Sequence, residues 1–162
     1  MVNEHFNFFS SAIAEEVRKQ ILNLDYRSGE VDREYVEPVG KSADVEQNTE
    51  LYKTFVEKLE ADFPQVKKYK LFRVFVNLFE PGDLPYFHKD ATKGSGTTFL
   101  YYPQDQDWEL DDRGETDVFV GKELRSYMPI PNKLIEFDGT LFHRGNSFRD
   151  RDRYSLVAQY KY

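Results

Sequence analysis

The chain changes its hydrophobic period near residue 68, and this change separates two parts of different structure. Before it, apolar residues recur at helical spacing, first after the candidate N-caps Ser10 and Ser11 and again between Asn48 and Pro64. After it, β-branched and aromatic residues form short runs separated by Pro, Gly, Asn and Asp. The pattern predicts two helices followed by an all-β sandwich or barrel, with the helices packed outside.

The individual elements follow from the same patterns. The first helix has apolar positions at helical spacing, namely Ile13, Val17, Ile21 and Leu22, and the second runs through Leu51, Phe55 and Leu59 and ends before Pro64. Residues 27–47 are polar and are interpreted mainly as loop, with a short strand near Tyr35 and Val36. The later strands are expected at 69–80, 97–102, 116–120, 134–137, 141–143 and 154–160.

The length of 162 residues and the 16% aromatic content suit a single domain with a sizeable core. No linker or internal repeat suggests a boundary. The chain is therefore interpreted as one domain over 1–162, with a helical part at 1–66 and a β-core at 67–162.

Composition excludes several classes of function. The chain contains no cysteine, so any metal must be bound by nitrogen and oxygen. The net charge of -7 argues against a general nucleic-acid binder, and the nearest basic run, Lys67, Lys68 and Lys70, is interpreted as a solvated strand entrance. No apolar stretch approaches the ~18 residues of a membrane span, and no signal-peptide core is evident. A cytoplasmic location without membrane partners is expected.

Two of the three histidines lie in a pattern typical of a metal site. His88 and Asp90 are two residues apart, so on an extended backbone they point to the same face. His143 follows a strand and a tight turn and can supply a third ligand. Two histidines and one carboxylate form the facial triad associated with non-haem Fe(II). The remaining histidine, His5, is expected at a frayed terminus.

A conspicuous arginine lies ten residues beyond His143. Arg153 begins an apolar strand, where its planar, permanently charged fork could hold a distal carboxylate. Ser155 faces the same way two residues later and could donate its hydroxyl to that carboxylate.

With these residues the chain resembles the 2-oxoglutarate/Fe(II) oxygenase superfamily, and within it the prolyl 4-hydroxylase-like branch. His88-x-Asp90, His143 and Arg153 match that family in order and spacing, and the resemblance covers roughly residues 70–160. It implies a double-stranded β-helix (jelly-roll) core and iron bound by His88, Asp90 and His143. No catalytic residue beyond the metal site is implied.

The resemblance also implies that Arg153 binds the distal carboxylate of 2-oxoglutarate. Tyr102 matches the strand tyrosine that assists there in the hypoxia-sensing hydroxylases. The implied reaction is hydroxylation of a C–H bond with O2 as the second co-substrate, succinate and CO2 as co-products, and ascorbate left open as an accessory. Because Asp90 is present, halogenation is disfavoured. Arg113-Gly114 departs from the family, which often has two glycines there.

The substrate stays open between a prolyl peptide, a free amino acid and another small metabolite. Tyr86 and Trp108 are candidate substrate contacts, although packing or loop anchoring is the more common role for both. The segment 105–117, with seven carboxylates and one arginine, is interpreted as an exposed hairpin loop or as a substrate-facing loop. The competing functions are a cupin-type metal-dependent dioxygenase or isomerase and a non-catalytic peptide-binding barrel.

Overall fold

Two antiparallel sheets dominate the chain in a computed structural model that describes residues 1–29, 31, 34–91 and 96–162. The helices are α1 (Ser11–Leu22) and α2 (Glu50–Asp62), and a 3-10 turn follows at Pro64–Lys68. Among the described residues, the strands are β1 (Val2–His5), β2 (Arg27–Ser28), β3 (Lys41–Asp44), β4 (Lys70–Phe79), β5 (Gly96–Tyr102), β6 (Thr116–Val120), β7 (Glu123–Tyr127), β8 (Lys133–Asp138), β9 (His143–Gly145) and β10 (Arg153–Lys161). The predicted mainly β architecture is confirmed.

The strands form a major sheet with the order β1-β8-β5-β10-β4-β3-β2 and a minor sheet with the order β7-β6-β9. All of the strand pairs run antiparallel. An isolated bridge between His88 and His143 continues the minor sheet beyond β9. The N-terminal strand β1 belongs to the same sheet as β10 at the other end of the chain.

Alternation along each strand gives the major sheet two different faces. On one face, Val74, Val76 and Phe99 join the buried residues of both helices in one apolar cluster. The opposite face is called the site face here. Its apolar cluster consists of Phe75, Leu100, Tyr102, Ile135, Phe137 and Val157. Buried residues of both helices therefore share one apolar cluster with one face of the major sheet, and the site face has a separate cluster.

The first helix follows the prediction in its cap but buries a narrower stripe. The Ser10 hydroxyl accepts a hydrogen bond from the Ile13 N–H at 3.4 Å, as an N-cap does. Val17 and Ile21 are buried, whereas Ile13 and Leu22 are 44% and 40% exposed. Because a helix turns 100° per residue, these two lie on either side of the stripe through Val17 and Ile21. The buried stripe of α1 is therefore narrower than its apolar pattern.

The second helix begins one residue later than predicted. Thr49, and not Asn48, is the N-cap: its hydroxyl accepts from the Tyr52 N–H at 3.2 Å. Leu51, Phe55 and Leu59 are buried, and α2 ends before Pro64 as expected.

The predicted strands after residue 68 are confirmed with shifted ends, except at 141–143, where β9 begins only at His143. The prediction of a short strand near Tyr35 and Val36 is wrong. Tyr35 is fully exposed with a φ of +66°, a left-handed conformation that interrupts a strand. The strands of this region are β2 and β3, while residues 30, 32 and 33 lie outside the described part.

Two strands at the edges of the sheets, β1 and β7, were not predicted because their sequences are polar. β7 reads Glu-Leu-Arg-Ser-Tyr and is an edge strand that pairs only with β6. β1 reads Val-Asn-Glu-His and pairs with β8 at the edge of the major sheet. His5 is therefore not frayed: it pairs with Leu134, and its ring packs edge-on against Phe63 at 4.8 Å.

The two α-helices have 12 and 13 residues, and no helix within the described ranges combines the length and apolarity needed to cross a membrane.

Removing the N-cap of α2 should lower stability without changing the fold. Thr49→Ala deletes the acceptor of the Tyr52 N–H, so the free energy of unfolding should fall by about 1 kcal/mol. Urea unfolding of Thr49→Ala beside Thr49→Ser measures this, since serine keeps the hydroxyl. Equal losses in the two variants would contradict the capping role.

Candidate functional site

The backbone of the minor sheet places His88 and His143 side by side. The His88 N–H donates to the His143 carbonyl and the His143 N–H donates to the His88 carbonyl, each at 2.9 Å. These reciprocal bonds make the two residues a directly opposed antiparallel pair. Their imidazole rings therefore lie close together, with centroids 4.3 Å apart. Two segments 55 positions apart in sequence thus present two imidazoles together.

Asp90 completes a group of three. Its carboxylate lies 3.6 Å from Nε2 of His88 and 3.4 Å from Nε2 of His143. The backbone N–H groups of Asp90 and Ala91 both donate to the Gly139 carbonyl, so the turn before His143 also fixes Asp90. Thr98 donates its hydroxyl to Oδ2 at 2.6 Å. Oδ1 accepts no hydrogen bond from the described residues and is left for a cation.

The tautomers of both histidines suit metal binding. Nδ1 of His143 lies 3.0 Å from the Leu141 carbonyl oxygen, and Nδ1 of His88 lies 3.3 Å from that of Tyr86. A carbonyl can only accept, so each Nδ1 carries the proton and each Nε2 presents a lone pair. Both Nε2 atoms face the Asp90 carboxylate.

Burial keeps His143 neutral. It lowers the pKa of this imidazole below the usual 6.5; Asp90 opposes the shift and His88 adds to it. Ligand atoms of His88, Asp90 and His143 all lie within 4.8 Å of one another. Two imidazoles and one carboxylate are the donor set of a facial triad, so these three residues could hold a metal ion.

Arg153 lies elsewhere on the site face and is fully buried, with an exposed fraction of 0%. Its Nε donates to the Gly114 carbonyl at 2.6 Å, and Nη2 donates to the Thr116 hydroxyl at 2.8 Å. Within the described ranges no carboxylate lies within 4.0 Å of the guanidinium. A buried charge normally has an opposite charge beside it. The arrangement is therefore suited to an anionic ligand.

Two glycines make room for this side chain. A Cβ at Gly145 would lie 2.6 Å from Nη1 of Arg153, so the guanidinium rests directly on that backbone. Gly114, which supplies the carbonyl acceptor, has a φ of +82° and no space for a side chain against Phe148. Arg113 beside it also adopts a left-handed φ, +63°, at the departure from the family pattern. Arginine thus takes a backbone conformation that glycine favours.

The other two predicted carboxylate contacts surround Arg153. The Tyr102 hydroxyl donates to Thr116 Oγ1 at 2.8 Å, and burial raises the pKa of this phenol to about 12, so it stays a donor. Ser155 Oγ is 3.5 Å from Nη1 of Arg153, at the limit of a hydrogen bond. Both residues are buried.

Sequence reasoning missed Thr116, which connects the two predicted contacts. Its hydroxyl oxygen accepts from both Tyr102 and Arg153, so its own hydrogen remains available to a ligand. The one available signal was its position at the start of a strand, directly after the Gly114-Glu115 connection.

The metal group and the guanidinium are connected by an apolar wall. On β5, Thr98 supports Asp90 and Tyr102 contacts Thr116, with Leu100 between them on the same face. The Phe137 ring of the same cluster packs against the His143 ring at a centroid distance of 4.8 Å. A molecule with a chelating end and an anionic end could contact both groups across this wall.

A cleft of about 300 Å³ opens beside the metal group. Its wall includes His88, Asp90, Phe75, Phe79 and Tyr86, and the Tyr86 side chain is 50% exposed. The predicted substrate contact at Tyr86 therefore lies on the cleft.

The acidic segment packs against the charged turn after β9. Trp108 donates its indole N–H to the Arg113 carbonyl at 2.8 Å, so it anchors the loop. Asp112 accepts from Arg151 at 2.8 Å, and its carbonyl accepts from the Arg149 N–H at 3.0 Å. Asp117 lies in β6 and is buried, so the exposed loop is shorter than expected. This packing holds the Gly114 carbonyl against Arg153.

No protein-family model and no curated protein sequence matches the chain. Several solved structures do match the chain. A Pseudomonas putida prolyl-4-hydroxylase has a TM-score of 0.77 at 15% identity, covering 99% of this chain and 91% of its own. The chain has the fold of this prolyl-4-hydroxylase. A prolyl hydroxylase from Trichoplax adhaerens, in complex with a hypoxia inducible factor peptide, has a TM-score of 0.83 at 19% identity, with 99% and 83% covered.

A third similar structure is HygX from Streptomyces hygroscopicus, with nickel and 2-oxoglutarate bound. Its TM-score is 0.71 at 13% identity, and the match covers 99% of this chain and 82% of HygX. At these identities the likeness establishes the shared fold, and function has to be argued from the site itself.

Replacing Thr116 with isosteric valine should destabilise the protein, because two buried donors lose their acceptor. We expect Thr116→Val to lower the free energy of unfolding by about 1–3 kcal/mol. Thr116→Ser is the control, since it keeps the oxygen and loses only a methyl group. If urea unfolding shows serine to be as damaging as valine, the hydroxyl does not have this role.

The low pKa of His143 predicts a pH dependence for the metal-free protein. Below about 6.5 the unfolded chain binds a proton that the folded imidazole does not, so stability should fall as the pH falls from there. The contribution is at most about 1.4 kcal/mol per pH unit. Urea unfolding between pH 7.5 and 5.5 should show a shallower fall for His143→Gln. Parallel curves would exclude His143 as the source.

Proposed function

We propose that this chain is an Fe(II)- and 2-oxoglutarate-dependent dioxygenase that hydroxylates a C–H bond of its substrate. The observation that carries the proposal is the buried guanidinium of Arg153, which has no carboxylate within 4.0 Å in the described part of the chain and shares the site face with a two-histidine, one-carboxylate group. A metal site alone fits many enzymes. A metal site together with a buried guanidinium fits a co-substrate that chelates the metal at one end and carries a negative charge at the other.

His88, Asp90 and His143 would hold the iron. Fe(II) with 2-oxoglutarate and O2 supplies the oxidising chemistry, and succinate and CO2 are the co-products. The chain's own part is to direct Nε2 of both imidazoles toward the site, to keep His143 neutral by burial and to leave Oδ1 of Asp90 free. These features are fixed by main-chain carbonyls and by Thr98 before any metal arrives. No protein acid or base is assigned.

Arg153, Tyr102 and Ser155 would bind the distal carboxylate of 2-oxoglutarate, and Thr116 joins them. The carboxylate would neutralise a guanidinium whose charge burial disfavours, since burial lowers the pKa of Arg153. Hydrogen bonds to charged groups contribute about 1.5–3 kcal/mol each. The surrounding apolar wall excludes water and strengthens them.

At the level of fold, we propose a double-stranded β-helix (jelly-roll) core, with the helices packed outside, in one domain over 1–162. The likeness to the prolyl hydroxylase structures supports the core topology. The pairing of β1 with β8 supports a single domain, because it joins the N-terminal part to the β-core. A cytoplasmic location remains the working assumption.

For the substrate, a peptide or a small molecule is proposed, and a prolyl peptide should be tested first. The Trichoplax adhaerens prolyl hydroxylase of the same fold is in complex with a peptide. Tyr86, on the cleft beside His88, is the proposed substrate contact; Trp108 is a weaker one because its indole N–H already binds the Arg113 carbonyl. Ascorbate should be included in assays as an accessory.

The proposal can be tested by succinate formation from 2-oxoglutarate with Fe(II) under air. The wild type should form succinate, and His143→Ala should abolish it because the metal loses a ligand. Arg153→Met should keep metal binding but raise the KM for 2-oxoglutarate by about 10–100-fold, the loss of one charged hydrogen-bonding group.

Anaerobic titration with Fe(II) separates the two variants, because His143→Ala should fail to bind metal and Arg153→Met should bind it normally. Unchanged turnover in His143→Ala would refute the metal assignment. Wild-type dioxygenase activity that needs Fe(II) but no 2-oxoglutarate would favour the cupin-type alternative. Metal binding with no turnover on any peptide or amino acid would favour a non-catalytic module.

A further inference from the structure

A buried lysine lies beside the proposed carboxylate site and has no part in the function described so far. Lys133 is only 1% exposed, and a lysine is almost never buried to this extent without an ionic partner. It begins β8 and shares its alternation with Ile135 and Phe137, which belong to the site face. Its ammonium group therefore lies on the same face of the major sheet as Arg153 and Tyr102.

The partner of Lys133 comes from the N-terminal strand. Glu4 Oε2 accepts from Lys133 Nζ at 2.8 Å. Glu4 is opposite Ile135 in the β1–β8 register and so projects from the same face as Lys133. Glu4 remains 37% exposed, so the pair spans from solvent to the interior. Strand β1 thereby brings one negative charge to a buried positive one.

The Tyr102 ring lies close to two cations. Lys133 Nζ is 5.5 Å from its centroid, and Arg153 Cζ is 5.6 Å from it. Tyr102 and Lys133 are also direct partners in the β5–β8 register. In this part of the site face, Lys133 has Glu4 as its counter-ion at 2.8 Å. Arg153 has no carboxylate within 4.0 Å among the described residues, and Glu115 acts on it electrostatically from farther away. The distal carboxylate would be its direct counter-ion.

We propose that Lys133 and Glu4 together adjust the charge of the co-substrate's carboxylate site, Lys133 shielding Tyr102 from Glu4 and Glu4 offsetting the charge that Lys133 adds. The inference rests on the proposed 2-oxoglutarate function. Lys133 is a positioning residue for the Tyr102 contact, and neither it nor Glu4 touches the metal ligands. The N-terminal strand is thus a part of the co-substrate site.

The charge arrangement predicts opposite effects for the two single substitutions. Lys133→Met leaves the Glu4 charge near the carboxylate without its cation, so 2-oxoglutarate should bind about tenfold more weakly. Glu4→Gln leaves the Lys133 charge without its counter-ion, so binding should tighten by about threefold or more. The double variant Glu4→Gln/Lys133→Met removes both charges, keeps the net charge of the site and should bind nearly as the wild type does. A buried pair replaced by neutral groups usually folds, which keeps the double variant measurable.

The measurement is isothermal titration of 2-oxoglutarate into the full chain loaded with Zn(II), which has no redox chemistry. The matched control ligand is 2-oxobutyrate, which keeps the chelating end and lacks the distal carboxylate. Its affinity should be equal in all four proteins, since the pair acts on the distal carboxylate. Opposite shifts for the single variants, seen only with 2-oxoglutarate, support the proposal.

Two outcomes would overturn it. If both single variants weaken 2-oxoglutarate and 2-oxobutyrate alike, the pair has a purely structural role. If neither changes either affinity, the charges are screened from the site. Both outcomes leave wild-type binding of 2-oxoglutarate intact and so leave the proposed function standing. Failure of the wild type to bind 2-oxoglutarate would instead refute the proposed function and this inference with it.

Discussion

The buried charge of Arg153 imposes conditions on each segment around it. A guanidinium without water needs acceptors, and the Gly114 carbonyl and the Thr116 hydroxyl supply two of them. It also needs space, which the bare backbone of Gly145 provides. Gly114 lies in the connection before β6, Thr116 begins β6 and Gly145 ends β9, so Arg153 links these segments to β10. The acidic segment, whose role was open from the sequence, contributes by holding the Gly114 carbonyl in place.

Local spacing in the sequence was enough to find most of the site. His88 and Asp90 are neighbours on one face of an extended segment, and Arg153 and Ser155 repeat that relation on β10. Thr116 and Gly145 could not be found in this way. Their roles depend on contacts between side chains of the major sheet and residues of the minor sheet. The register between such distant segments cannot be predicted from the sequence of either segment alone.

The fold was predictable where burial dominates the pattern and less so where it does not. The strands β4, β5 and β10 have apolar residues on both faces and were found with small errors at their ends. β1 and β7 lie at sheet edges, where polar residues are tolerated, and their sequences resemble loops. The helix caps depend on one hydroxyl each, which explains why Asn48 was a plausible but wrong choice beside Thr49.

The reciprocal bonds between His88 and His143 have a consequence for divergence. Both bonds join main-chain atoms, so they do not depend on which side chains surround them. Substitutions in the surrounding strands can therefore leave the separation of the two imidazoles unchanged, provided that the register is kept. The centre depends on a hydrogen-bonding register and a few side chains, and not on overall sequence identity.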